Sequence, residues 1–211
     1  MKRFDEFFVR EGRFVADDVT LEEIVRKHQT PFYVYSASAI RAKYRLLKDG
    51  FPAFDICYSL KANPNPAVCG VLAQVGAGAE VSSPVELATA LDAGFVRDNI
   101  IYVAPAKTAV DIERALSAGI HAIVSDSAAE LELVESAARK LGRAARVLLR
   151  INTMERQPEA KEVMVGGPSK FGFDEERVVA DVAGLELKQA RIAGIQVYSA
   201  SHAEFSTWLA E

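Results

Sequence analysis

From residue 50 onward the chain alternates between short apolar runs suited to strands and amphipathic stretches suited to helices. That rhythm limits the fold more than any other feature. The strand-like runs are Phe54–Leu60, Ala79–Ser83, Ile100–Ala104, Ala122–Ser125, Val147–Ile151 and Ile192–Tyr198. Helical patterns lie between them, with recognisable starts and stops. Pro84–Leu91 runs into Asp92-Ala93-Gly94, and Ala109–Ala118 into Gly119, where glycine suits a helix C-terminus. Ser127-Ala128-Ala129-Glu130 has the spacing of a capping box, and the helix it opens closes at Gly142. Glu130, Glu132 and Glu135 stand early in that helix and Arg139 and Lys140 late, as the helix dipole favours.

Strands separated by helices imply a parallel sheet, and over the first five runs the repeat is roughly twenty residues or slightly more. That repeat suits a doubly wound α/β sheet or a (β/α)8 TIM-type barrel. Side chains alternate along a strand, so Cys57, Ser59 and Lys61 share one face and Phe54, Ile56, Tyr58 and Leu60 the other. A bulky face toward helices with a smaller inner face is what a barrel strand needs. No Gly-x-Gly-x-x-Gly follows the first run, which counts against a dinucleotide site. The barrel is the favoured fold, preceded by an N-terminal segment over residues 1–50, a strand and a helix, and occupying 51–211. At most six strand–helix units can be found, two short of closure. The pattern stops inside what reads as the opening of a helix, Glu204–Glu211, so a piece of a longer protein is expected.

Composition narrows the function classes. Net charge is −4 with a pI near 5.5, and no basic stripe interleaved with aromatics appears, which argues against nucleic acid. The start, Met1-Lys2-Arg3-Phe4-Asp5-Glu6, carries acids where a signal peptide turns apolar, and no apolar run approaches membrane-spanning length. Cys57 and Cys69 read as small apolar fillers rather than a disulfide. A cytoplasmic protein with no membrane partner is expected.

Lys61 is the chemically loudest residue. It closes the apolar run Phe54–Leu60 and precedes two Asn-Pro pairs, Asn63-Pro64 and Asn65-Pro66. Two readings are open. A strand-end lysine can simply extend its ammonium to solvent. A desolvated one loses its proton more easily, becomes nucleophilic near neutral pH and can condense with an aldehyde.

Five segments then occur in order: Thr30-Pro31-Phe32-Tyr33-Val34-Tyr35, Tyr58-Ser59-Leu60-Lys61-Ala62-Asn63, Gly76-Ala77-Gly78-Ala79-Glu80-Val81-Ser82-Ser83, Ser169-Lys170-Phe171-Gly172 and Gly194-Ile195-Gln196-Val197-Tyr198-Ser199-Ala200-Ser201. From about residue 30 onward the chain resembles the N-terminal part of the alanine-racemase-like (fold type III) pyridoxal-phosphate decarboxylases, the diaminopimelate and ornithine decarboxylase family. The resemblance implies that Lys61 carries pyridoxal 5'-phosphate covalently at the C-terminal mouth of the first barrel strand, and that an amino acid is decarboxylated there. It also implies that Tyr198 stands where a histidine often stacks on the cofactor ring. Ser201 matches a serine that hydrogen-bonds the phosphate, with Ala200 in place of the usual glycine, and His202 is a loop residue. Arg150 matches an arginine near the cofactor, though a strand-end arginine equally pairs with a carboxylate. Glu80 occupies a position often held by aspartate, beside Lys61. Capping accounts for Ser83 and Glu86, and Lys170 and Lys107 are expected to be structural.

The resemblance implies further elements absent from these residues: a glycine-rich phosphate loop, a glutamate facing the pyridine nitrogen, and a C-terminal β domain supplying a catalytic cysteine and aspartate across a homodimer. Thr30–Tyr35 would be a strand pairing with that domain. The chain alone is therefore expected to be inactive and, with open sheet edges, poorly soluble. Tyr198-Ser199-Ala200-Ser201 and Gly166-Gly167-Pro168-Ser169 resemble the branch serving specialised biosynthesis, so the expected substrate is an amino acid, free or tethered to a carrier protein. A non-catalytic cofactor-binding barrel of the homeostasis type and an amino-acid racemase are the alternatives.

Overall fold

A computed structural model of the chain describes residues 7–154, 167 and 169–198. It opens with a three-stranded antiparallel meander of β1 (Phe7–Arg10), β2 (Arg13–Ala16) and β3 (Val19–Thr20). Both connections are two-residue loops, Glu11-Gly12 with φ of 52° and 78° and Asp17-Asp18 with φ of 46° and 66°. Paired left-handed residues give a tight hairpin the twist its strands require. Two helices follow, α1 (Leu21–Lys27) and α2 (Ala37–Gly50). A capping box between Thr20 and Glu23 starts α1, and Ser36 caps α2. Asp17 accepts hydrogen bonds from the Ser36 hydroxyl at 2.7 Å and from the Ser38 hydroxyl, fastening the meander to α2. The expected strand over Thr30–Tyr35 is not formed; no strand is assigned at 31–35, and Tyr33 is 90% exposed.

The rest is a parallel sheet wrapped by helices. In chain order it comprises β4 (Cys57–Ser59), α3 (Pro66–Gln74), β5 (Gly78–Val81), α4 (Pro84–Asp92), β6 (Ile100–Tyr102), α5 (Ala109–Ala118), β7 (Ala122–Ser125), α6 (Ala128–Leu141), β8 (Ala145–Asn152), β9 (Phe173–Asp174), α7 (Val178–Ala183) and β10 (Ala190–Val197). Hydrogen-bonded neighbours run β4-β5-β6-β7-β8-β10, and every one of these pairs is parallel. A doubly wound sheet reverses its strand order part-way. Here the order never reverses, which is the winding of a barrel wall.

Burial follows the alternation. Ala79, Val81 and Ile100 are completely buried and Tyr102 nearly so, whereas Glu80 and Ile101 between them are only half-buried. The buried face packs on Cys69, Ala90, Ile112, Ala115, Leu131 and Val134 from the helices. Full burial of a side chain such as Ile112 or Leu131 contributes about 1.5–3 kcal/mol. Along β8 the alternation ends after Leu148, and Leu149 to Asn152 are all buried. There β9 pairs with Ile151 and Asn152 beyond the end of β7, closing the edge of β8 that β7 leaves open.

Several boundaries differ from expectation. The run Phe54–Leu60 is strand only at Cys57–Ser59, and Leu60–Ala62 form a single 3-10 turn. The turn buries Leu60 completely, while Asn65 caps α3 by accepting from Ala67 N at 2.9 Å. Phe54 lies outside the sheet, 64% exposed, with its carbonyl accepting from Lys48 at 2.6 Å. The second strand stops at Val81, because Ser82 N donates to Glu86 at 2.8 Å and Ser83 caps α4. Neither β9 nor α7 was expected; both fall in the long gap before β10.

Candidate active site

The C-terminal ends of parallel strands form one rim, and the residues that could do chemistry collect on it. Lys61 sits in the 3-10 turn immediately after β4. Its side chain is 58% exposed, so of the two open readings the structure shows the amine that reaches solvent: the turn lifts it out of the wall. Its Nζ lies 3.4 Å from Glu80 Oε1. Glu80 reaches that place because Ser59 and Glu80 are partners in the β4–β5 register. The Ser59 hydroxyl donates to the same Oε1 at 2.9 Å. Lys61 Nζ is also 5.8 Å from the centroid of the Tyr198 ring, just past the end of β10.

That last distance bears on the fold. β4 and β10 are opposite edges of the sheet, five strand spacings apart, which in a flat sheet is about 24 Å at ~4.8 Å each. A contact between side chains at their ends requires the wall to curl most of the way round.

Arg150 is directed elsewhere. Its guanidinium pairs with Asp126 at 3.3 Å and lies 4.6 Å from the centre of the Phe171 ring, with both charged side chains about nine-tenths buried. Of its two open readings, the structure shows the carboxylate partner. Asp126 Oδ1 also accepts from Gly172 N at 3.1 Å. Burial pushes the Asp126 carboxyl above its ordinary range, against the opposing pull of Arg150 and Lys107. Gly172 is required here: its φ is +77°, and a Cβ would lie 2.8 Å from the Arg150 carbonyl oxygen.

Lys107 is structural, as expected, but more deeply than a loop lysine. Its side chain is completely buried, with Nζ 3.0 Å from Glu130 Oε2 and donating to the Ala104 carbonyl at 2.6 Å. Glu130 accepts from Lys107 N and Asp126 N at 3.1 and 2.9 Å. The capping box expected at Ser127 is thus half made. Ser127 accepts from Glu130 N, but the Glu130 carboxylate serves Lys107 and Asp126. Ser83 and Glu86 do act as caps, and Lys170 sits 5.2 Å from the Phe171 ring. Ser201 and His202 lie outside the described residues. Asp126 and the partnership of Ser59 with Glu80 were missed from sequence. Asp126 continues the inner-face alternation Ala122, Val124 of β7, which was the signal available.

The family model for the pyridoxal-dependent decarboxylases, pyridoxal binding domain, matches residues 37–207. The chain belongs to this family. Among curated relatives, the L-glutamyl-[BtrI acyl-carrier protein] decarboxylase of Niallia circulans is 36% identical over 185 residues, 87% of this chain and 43% of that protein. The diaminopimelate decarboxylase of Aquifex aeolicus is 34% identical over 167 residues, 78% of this chain and 40% of the relative. A crystal structure of diaminopimelate decarboxylase from M. jannaschii superposes with a TM-score of 0.88 at 29% identity, covering 98% of this chain and 50% of that one. The chain therefore spans about half the length of the relatives it matches. The fold is that of an N-terminal part of the family's barrel domain, and the family's cofactor is pyridoxal phosphate. The donor set around Lys61 suits that group. A primary amine open to solvent meets an aldehyde, a carboxylate 3.4 Å away balances a cationic nitrogen, and a phenol ring lies near enough to face a planar heterocycle. Among the described residues no helix is long and apolar enough to cross a membrane, and no cluster of metal-ligating side chains occurs.

Proposed function

We propose that this chain carries the cofactor-binding part of an amino-acid decarboxylase and that Lys61 is the residue that bonds pyridoxal phosphate. The observation that carries the reading is the Lys61–Glu80 pair on the rim of a pyridoxal-family barrel. Bound there, pyridoxal phosphate would supply an electron sink for the carbanion left when carbon dioxide departs. The chain's own residues hold and orient. Glu80 keeps a negative charge beside the lysine nitrogen, and Tyr198 offers an aromatic face from the opposite edge of the wall. Ser201 donates to the phosphate in this reading, and Arg150, braced by Asp126, lines the rim from β8.

For the substrate, relatives named for diaminopimelate and for a glutamyl group on an acyl-carrier protein point to an amino acid, free or carrier-bound. The carrier-bound form has the support of the 36% identical relative. The test is to add pyridoxal phosphate to the purified chain, reduce with borohydride and map the modified lysine by peptide mass spectrometry. Label confined to Lys61 and lost in Lys61→Ala is expected. Label scattered over surface lysines would refute the assignment.

A further inference from the structure

We infer that Ser59 is a positioning residue for Lys61, acting through Glu80; the inference rests on the reading of Lys61 as the cofactor-bearing lysine. Three placements support it. Ser59 and Lys61 flank Leu60, whose side chain is fully buried, so Leu60 anchors the short link between them. Ser59 is the register partner of Glu80, which sets hydroxyl and carboxylate side by side on adjacent strands. Finally, one oxygen serves both neighbours: Glu80 Oε1 accepts from Ser59 Oγ at 2.9 Å and lies 3.4 Å from Lys61 Nζ.

The two contacts differ in kind. The hydroxyl is mounted on the strand and makes a hydrogen bond of ordinary length. The lysine is a long, mobile side chain on a one-turn helix, more than half exposed, and its contact with Glu80 is longer than a good charge-assisted hydrogen bond. Ser59 is therefore the fixed support of the carboxylate, and Lys61 is the partner that comes and goes. Condensation of the lysine with an aldehyde shows why this matters. The ammonium first releases a proton, and Nζ then adds to the carbonyl carbon. The carbonyl oxygen leaves as one water, and reprotonation returns a single positive charge to nitrogen. Nitrogen is positive before and after, but neutral when it attacks. During that interval no ionic attraction holds the Glu80 carboxylate in place, and the Ser59 hydroxyl does.

The experiment is a double-mutant cycle on the full chain with Ser59→Ala, Glu80→Gln and the pair. Pyridoxal phosphate is titrated in, the visible absorbance of the lysine adduct is followed, and label on Lys61 after borohydride is quantified. Loss of the hydroxyl's hydrogen bond to the Glu80 carboxylate, felt at Lys61 only through Glu80, is expected to weaken the apparent affinity about three- to tenfold in Ser59→Ala. Because Ser59 acts through Glu80, the double variant is expected to be no weaker than Glu80→Gln alone. Ser59→Thr, which keeps the hydroxyl, is expected to restore most of the affinity, and far-ultraviolet circular dichroism checks that each variant is folded. Should Ser59→Ala fold poorly, Ser59→Cys, close in size and a weak donor, takes its place in the cycle. Wild-type affinity in the Ser59 variant, or losses that multiply independently, overturns the role of Ser59 while leaving Lys61 in place. Absence of Lys61 label in the wild type overturns both readings together.

Discussion

Replacing Lys107 by Met or Glu130 by Gln cuts one buried ion pair from its two sides, and the two cuts are not equivalent. Lys107 Nζ has no solvent exposure and two oxygen contacts, Glu130 Oε2 at 3.0 Å and the Ala104 carbonyl at 2.6 Å. Glu130 keeps two backbone donors whatever happens to the lysine, Lys107 N at 3.1 Å and Asp126 N at 2.9 Å. Removing one partner of a buried pair costs about 3–5 kcal/mol, because the survivor is left charged and dry. In Lys107→Met the carboxylate retains its backbone donors, which places the cost near the bottom of that range or just under it, about 2–3 kcal/mol. In Glu130→Gln the ammonium is left with neutral acceptors only, and the cost is expected near 4 kcal/mol. The double variant strands no charge and is expected to cost about 3 kcal/mol, less than Glu130→Gln alone, for a coupling of about 3–4 kcal/mol. Urea unfolding followed by circular dichroism measures this, with about 1 M of midpoint shift for each 3 kcal/mol in a chain of this size. The reasoning fails if Lys107→Met proves the costlier cut, or if the two single losses simply add.

Glu135 supports a pH prediction. Burial raises its carboxyl, but hydrogen bonds from Ala190 N, Gln189 N and Lys188 N outweigh that and hold it below the ordinary range. A carboxyl lowered by folding stabilises fully above its unfolded value, near 4.5, and the contribution fades as pH falls through the lower folded value. Glu135→Gln should therefore flatten the acid limb of stability below about pH 5 and cost about 1–3 kcal/mol at neutral pH, read by thermal melts across pH; an unchanged acid limb would count against it. Gly172→Ala should cost about 2–3 kcal/mol, because the added Cβ combines a left-handed backbone with a 2.8 Å approach to the Arg150 carbonyl oxygen. Gly12→Asn, at φ +78° with nothing within 4 Å, should cost under about 1 kcal/mol, and equal losses at the two glycines would refute the steric part of the argument.

The sequence made some features easy to read and hid others, for physical reasons. The C-terminal end of α5 and both ends of α6 were legible because Gly119, Ser127 and Gly142 are local signals, and the glycines do take φ of +69° and +61°. The strand order was legible as an even repeat. β9 was not, because two residues carry no period and are strand only through pairing with β8. The sequence left open whether Lys61 reaches solvent, because an apolar run cannot announce where extended backbone yields to a 3-10 turn. Glu130 was misread since the spacing from Ser127 is the same whether its carboxylate turns back to the cap or outward to Lys107. At the candidate site, strand alternation put Ser59 and Lys61 on one face, but which carboxylate they share depends on register with β5.

The gap between Lys61 and Tyr198 acts as a gauge of the whole wall. The two residues follow the two edge strands of a series with five interfaces between them, and among the described residues no backbone pairing across the opening fixes their separation. Adjacent strands rotate by about 20–25° on average, and small departures at each interface accumulate along the series. A substitution between β6 and β7, remote from any chemistry, thus has leverage on the opening. Cofactor affinity should respond to repacking of Ile123 or Val124, buried in β7, through the sum of small rotations.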